Sequence, residues 1–343
     1  MKAALIEKVG GPEVFVYKDV PDPAPGPGDS VVRVEAVGVN RIDVWIRTGL
    51  YKVSLPAVIG CDIAGIVEVA GDPSLSVGDR VVVYPEVGCG RCVYCLSGRE
   101  NLCQDMKRIG QNIWGGYAEK VVVPSKSLLK IPEPLTFQEA AAIPVNFTTA
   151  WSALMSSANI GPGMSVLVVG GGSGVGYAAI QIAKLSGAYV ITTVSDDSKA
   201  EKAYQLGADL VINRLKSDVY GEVMRATSNR GVDVVLEHAG SAFFPTALKC
   251  LAPGGTIVTV GATTGQDISI NIRDLYRKRQ RVVGSGLGTK AELMKILELF
   301  SKRRLRVVID SVFKLSQATQ AHLKLESNKH FGKILLIPDG RSS

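Results

Sequence analysis

Residues 165–176 read SVLVVGGGSGVG, an apolar run that ends in glycines and passes straight into the helix-like segment YAAIQIAKLSGA. No other stretch limits the fold as much. Backbone N–H groups at a helix N-terminus attract a pyrophosphate, and residues without a Cβ let it come close. Gly171, Gly172, Ser173, Gly174, Val175 and Gly176 form the candidate cradle. The strict G-x-G-x-x-G spacing is not met. With Gly171 and Gly176 as the outer pair, Ser173 stands where the second glycine would be. A glycine loop alone is a weak signal, and its setting between a strand and a helix gives it weight.

That setting repeats. After residue 135 the chain reads as two helices broken at Pro144, then as strands alternating with helices: SVLVVG, YVITTVS, LVIN, VDVVLEHAG and GGTIVTVGA. The missing N–H of Pro144 ends the first helix. The strands are apolar throughout rather than alternating, which predicts a parallel sheet covered on both faces. The second strand ends at Ser195, 24 residues after Gly171. An NAD site usually carries Asp or Glu there for the ribose 2′-hydroxyl. Ser195, with Lys199 just beyond and Arg214 after the next strand, favours a 2′-phosphate and hence NADP(H). Asp196 and Asp197 keep NAD(H) open, should either reach the ribose.

The first half reads differently. GDSVVRVEAVGV, AGIVEVAG, VGDRVVVYPEV and YAEKVVVPS are short Val-rich runs punctuated by Gly, Pro and Asp, the pattern of strands joined by turns. The 343 residues predict more than one domain. The boundaries expected are 1–148, 149–287 and a C-terminal segment 288–343. The net charge is +7, but Lys and Arg are scattered, with one dense run at 273–281, so a phosphate-bearing cofactor is a better use of the charge than nucleic acid. The N-terminus lacks the apolar core of a signal peptide, and no run of 18 apolar residues occurs, so the expectation is a cytoplasmic protein without a membrane span.

Four of six cysteines fall in CGRCVYCLSGRENLC: Cys89, Cys92, Cys95 and Cys103, spaced C-x2-C-x2-C-x7-C, in a lobe at about 86–104. Clustered cysteines in a reducing compartment are more often metal ligands than disulfides. Four thiolates complete a tetrahedral zinc and leave no open position for water or substrate, so this is a structural site. A catalytic zinc needs three ligands and an open position. Histidine is scarce: only His238, His322 and His330 occur.

Taken together, PGPGDSVVRVEAVGVN, GCDIAGIVEVAG, VGDRVV, the cysteine lobe, GGYAE, the glycine loop, LEHAG and FGKILL resemble the medium-chain dehydrogenase/reductase superfamily over nearly the whole chain. The resemblance implies an α/β protein: a GroES-like β-barrel catalytic domain plus a Rossmann domain with a doubly wound parallel sheet. Zinc-dependent members carry Cys in the motif matching GVNRID, His-Glu where this chain reads Cys61-Asp62, and Cys in the motif matching IPVNFTTAW. Here Asn40, Cys61 and Val145 stand at those positions, so the catalytic metal set looks dismantled. The segment VNRIDVWIRTGLY is instead similar to the quinone oxidoreductase branch, with Asn40, Trp45 and Tyr51 lining the pocket. The resemblance further implies that Thr149 lies under the nicotinamide, that Gly240, Gly261 and Lys333 fall in cofactor-facing motifs, and that the protein forms a homodimer or homotetramer.

The expected activity is reduction of a ketone, enone or quinone by hydride transfer from NADP(H), with one structural Zn2+. Without a catalytic metal, Asn40 and Tyr51 are the candidate hydrogen-bond donors to the substrate oxygen. Two other readings remain at this point: an alcohol dehydrogenase with an atypical zinc site, and a non-enzymatic NADPH-binding protein.

Overall fold

The computed structural model describes residues 1–341. The chain divides into two compact units, one of residues 1–145 and 289–343, the other of residues 146–288.

The first unit is β-rich. Its main sheet runs in the order Leu128–Lys130, Arg80–Val83, Asp62–Val69, Asp29–Val39, Lys333–Ile337 and Ile309–Lys314, with Lys120–Pro124 also paired to Asp29–Val39. A three-stranded sheet, Phe15–Asp19, Lys2–Ile6 and Ala57–Val58, stands beside it. Alternate residues of these strands face inward. Leu5, Val32, Val34, Ile63, Val81 and Leu336 thereby join one buried core. The C-terminal strand Lys333–Ile337 returns to pair antiparallel with Asp29–Val39, Ile334 opposite Val39 and Leu335 opposite Gly38. On its other side Asp29–Val39 pairs with Asp62–Val69, Gly38 opposite Asp62. Three segments distant in sequence therefore meet at one end of the sheet.

The second unit holds a six-stranded sheet in the order Leu210–Asn213, Tyr189–Val194, Ser165–Val168, Val232–Glu237, Leu251–Thr259 and Arg281–Gly284. Every pairing is parallel. The chain order 3-2-1-4-5-6 is that of a Rossmann domain. Successive residues Val166, Leu167 and Val168 are all fully buried, as are Val234, Val235 and Leu236, so both faces of the sheet are covered. Helix Gly174–Leu185 follows the first strand, as the apolar pattern predicts. The break at Pro144 is also found: Phe137–Ala140 ends before it and Pro144–Trp151 starts on it. The strand Ile309–Lys314 and the helix Ala318–Glu326 carry little signal in the sequence, since alternation there is weak and every strand residue is only half-buried.

Candidate active site and cysteine lobe

Asn40 follows the strand Asp29–Val39 directly and stands at the N-cap of the short helix Arg41–Arg47. The C-terminal pairing brings Lys333 alongside it, and the pairing with Asp62–Val69 brings in Asp62. Lys333 Nζ donates to Asn40 Oδ1 at 2.6 Å and to Asp62 Oδ2 at 2.6 Å. Asn40 Nδ2 donates to the same Asp62 Oδ2 at 2.9 Å, and the Val145 N–H donates to Asp62 Oδ1 at 2.8 Å. The Lys333 and Asp62 side chains are 2% and 0% exposed. A buried ion pair is sustained only when its remaining donors and acceptors are satisfied, and here both carboxylate oxygens are engaged.

Lys333 reaches Asp62 by crossing the strand that separates them, and it crosses at Gly38. A Cβ built on Gly38 would lie 2.4 Å from Lys333 Cε, 2.5 Å from the Ala141 carbonyl oxygen and 3.1 Å from Asp62 Cβ. A side chain at 38 and this ion pair exclude one another.

Asn40, Cys61 and Val145, at positions where the resemblance implies metal ligands, thus stand in or beside a hydrogen-bonded ion-pair network. Cys61 is buried, and its thiol is pushed well above the usual range by burial and by the carboxylates of Asp43 and Asp62. Its Sγ lies 3.9 Å from Asn40 Nδ2. Asp62 offers its oxygens to Lys333, Asn40 and Val145 instead. Among the described residues, the cysteine lobe alone gathers three or more His, Cys, Asp or Glu at metal-binding distances.

Behind Asn40 a second buried network holds the helix. The Asp43 carboxylate accepts the Asn40 N–H at 2.8 Å and the Tyr117 hydroxyl at 3.3 Å, and Tyr117 Oη lies 3.0 Å from His322 Nε2. Burial raises Asp43 to about 7 and lowers His322 to about 3. Trp45 lies on the same helix, half-buried, and its ring packs 6.1 Å from that of Tyr51 at 32°. Tyr51 is 38% exposed. Asn40, Trp45 and Tyr51 thus cluster around one helix: Asn40 is locked in the buried triad, and the two aromatics form a pair open to solvent.

The four lobe cysteines come together as the spacing predicts. Their Sγ atoms lie within 4.8 Å of one another. Cys92 caps the helical turn Val93–Leu96 and accepts the Cys95 N–H, and Cys103 Sγ accepts the Cys89 N–H at 3.3 Å. The backbone amides of Arg91 and Cys92 lower Cys89 to about 6, while Cys95, despite the Gly90 amide, is pushed up to about 12 by desolvation and the neighbouring thiols. This donor set fits a closed tetrahedral zinc.

In the second unit the predicted cofactor residues gather at the carboxyl ends of the parallel strands, where nucleotides bind in such sheets. The glycine loop follows Ser165–Val168, Ser195 follows Tyr189–Val194, and Arg214 follows Leu210–Asn213. Gly240 and Gly261 lie just beyond the next two strands. Gly170 has φ +67°, the left-handed region that favours glycine. A Cβ on Gly176 would lie 2.2 Å from the Gly170 carbonyl oxygen, so the loop closes tightly only with glycine there. Ser173, in the second-glycine position, caps the helix by accepting the Gly176 N–H at 3.0 Å. Its hydroxyl also lies 3.1 Å from His238 Nε2. This places His238 on the loop, a contact that the sequence reading did not foresee.

Asp197 is held by Asn213 Nδ2 at 2.6 Å and by Lys216, and Asp196 caps the turn through the Ser198 N–H. Lys199 is buried and Arg214 exposed. Thr149 is buried on the helix Pro144–Trp151. Lys333, expected among cofactor-facing residues, spends two of its three N–H groups inside the first unit.

Comparison with known proteins agrees with this architecture. Residues 26–133 match the alcohol dehydrogenase GroES-like domain model, and residues 174–302 match the zinc-binding dehydrogenase model. An NAD-dependent alcohol dehydrogenase of Saccharolobus solfataricus is 34% identical, with 98% of this chain and 100% of the relative covered. A quinone oxidoreductase of Rattus norvegicus is 33% identical, with 98% of each covered. A solved NAD-dependent alcohol dehydrogenase superposes with a TM-score of 0.95 at 39% identity, over 98% of this chain and 99% of that one. The fold and site define a two-unit nicotinamide oxidoreductase architecture. The chain belongs to the medium-chain dehydrogenase/reductase superfamily, which contains the alcohol dehydrogenases and quinone oxidoreductases.

Proposed function

We propose that the protein reduces a ketone, enone or quinone with NADP(H), without a catalytic zinc, while the cysteine lobe carries one structural zinc. The observation that carries this reading is the Asn40–Asp62–Lys333 triad. Where zinc-dependent relatives keep ligands, this chain keeps an amide donor and a buried ion pair. When bound, the cofactor supplies a hydride to the carbonyl carbon, or to the β-carbon of an enone. The substrate oxygen gathers negative charge as this happens. Asn40 Nδ2–H donates to that oxygen, and preorganised donors of this kind lower the barrier because they need no reorientation. Trp45 and Tyr51 offer an aromatic wall, and the Tyr51 hydroxyl, half open to solvent, delivers the proton directly or through water. Cys89, Cys92, Cys95 and Cys103 hold their metal away from this chemistry, since four thiolates leave it no open position.

The preference for NADP(H) is supported by Ser195 at the strand end, by Lys199 and Arg214 beside it, and by the commitment of Asp196 and Asp197 to other partners. It runs against the name of the Saccharolobus relative. The test is a comparison of kcat/KM for NADPH and NADH with a panel of quinones, enones and ketones, alongside zinc per chain on chelator-washed protein. We expect about one zinc, a higher kcat/KM with NADPH, and an Asn40→Ala variant that loses about 10²–10³ in kcat. A second zinc in the washed protein would overturn the metal-free reading and put a zinc alcohol dehydrogenase in its place. Cofactor binding with no turnover across the panel would mark a binding protein.

A further inference from the structure

We infer that Lys333 is a positioning residue of the carbonyl-reducing site: its buried ammonium, locked to Asp62, fixes the Asn40 amide so that one N–H is kept for a substrate oxygen. The inference names how the proposed site works and rests on that reading for its functional arm only.

An asparagine side chain donates and accepts at once. It has two N–H donors and one acceptor oxygen. The oxygen of Asn40 takes the Lys333 ammonium at 2.6 Å, and one N–H goes to Asp62 at 2.9 Å. The other N–H finds only the Gly38 carbonyl at 3.5 Å and the Cys61 sulfur at 3.9 Å. Both are longer than an effective hydrogen bond. One donor is therefore in reserve. Its direction is set by the ion pair, because the reversed amide would aim its NH2 at an ammonium and its oxygen at a carboxylate. Two charged neighbours thus select one of the two amide orientations, where a neutral pocket would leave the choice open.

The ammonium also supplies the charge. In zinc-dependent relatives a divalent cation sits among the ligands that Asn40 and the Cys61-Asp62 pair replace. Here a single positive charge stands against Asn40 Oδ1 and draws electron density from the amide, which makes the spare N–H a better donor. Lys333 reaches this place because Gly38 lets its side chain cross the strand.

The test uses the full-length protein and variants that do not strand a buried charge. Lys333→Met with Asp62→Asn removes both charges together, and Lys333→Arg keeps the pair. Lys333→Gln with Asp62→Asn also removes both charges, keeps neutral hydrogen-bonding groups there, including an acceptor for the Val145 N–H, and serves if the first double variant does not fold. Two readouts are taken. The first is the Asn40 side-chain amide signal in protein labelled with 15N-asparagine and assigned by its loss in Asn40→Ala. The second is turnover of NADPH with 9,10-phenanthrenequinone and 2-cyclohexenone.

We expect two resolved, slowly exchanging amide protons in the wild type and in Lys333→Arg, and their averaging or rapid exchange in the double variant. We also expect kcat to fall about 10²-fold in the double variant with KM for NADPH unchanged, and Lys333→Arg to recover part of it. Unchanged amide signals in the charge-free variants, or kcat within twofold of wild type, overturn the inference. If the amide signals respond as expected while the wild type turns over neither carbonyl, the positioning role stands and the reductase reading falls.

Discussion

Replacing Gly38 by alanine adds one methyl group and should dismantle the triad. The added Cβ would meet Lys333 Cε at 2.4 Å and the Ala141 carbonyl at 2.5 Å. Carbon atoms rest at about 3.5–4.0 Å, so the lysine must withdraw by more than about 1 Å. Its two bonds of 2.6 Å do not survive such a shift. Forcing a methyl group into a packed site costs about 1–3 kcal/mol. Stranding the Asp62 carboxylate, which is fully buried, costs about 3–5 kcal/mol more. Alanine returns about 0.5–1 kcal/mol through its lower backbone entropy in a strand. The net loss is about 3–7 kcal/mol. At about 2–4 °C per kcal/mol for a unit of this size, the first unfolding transition should fall by at least about 6 °C.

Differential scanning calorimetry on wild type and Gly38→Ala measures this. The same substitution in a Lys333→Ala/Asp62→Asn background isolates the cause, because the long side chain at 333 and both buried charges are gone there and only the contacts with the Ala141 carbonyl and the Cβ of residue 62 remain. The penalty should then shrink by at least about 2 kcal/mol, the coupling expected of groups in contact. Equal penalties in the two backgrounds would refute the claim that Gly38 exists to pass Lys333, whatever their size.

Two other outcomes follow from the structure. Cys103→Ser should lower zinc from about one per chain to near zero and reduce thermal stability, since a structural zinc contributes to folding directly; full zinc retention in the variant would show that the metal lies elsewhere. His322 should make folding weaken in acid. Its folded value of about 3 lies below its ordinary 6.5 because burial disfavours the imidazolium. The unfolded chain therefore takes up a proton first, and the stability is present above pH 6.5 and lost as pH falls toward 3. The stability of wild type minus that of His322→Gln should rise with pH across this window by up to about 1.4 kcal/mol per unit and level off above it. Asp43, raised to about 7 by burial, titrates in both proteins and cancels in the difference. A flat difference would contradict the buried, neutral state.

The sequence alone determined what lies close together along the chain. A glycine loop between a strand and a helix, apolar strands alternating with helices, and four cysteines within fifteen residues are local patterns. Their meaning is set by backbone geometry and ligand spacing over a few turns. That Asn40, Cys61 and Val145 stand where the resemblance implies metal ligands was also legible, because residue types at motif positions are read without knowing the fold. Tertiary structure alone decided what stands in their place. Lys333 lies 293 residues from Asn40 and 271 from Asp62, and only the pairing register of three strands brings them together. In the sequence the faint signal was a lone lysine opening the otherwise apolar KILLI, which a buried strand tolerates only with a partner. His238 beside Ser173, and His322 beside Tyr117, carry no local signal at all. Strand register and long-range packing depend on the whole core, so the partner of a buried charge is fixed only when the sheet closes.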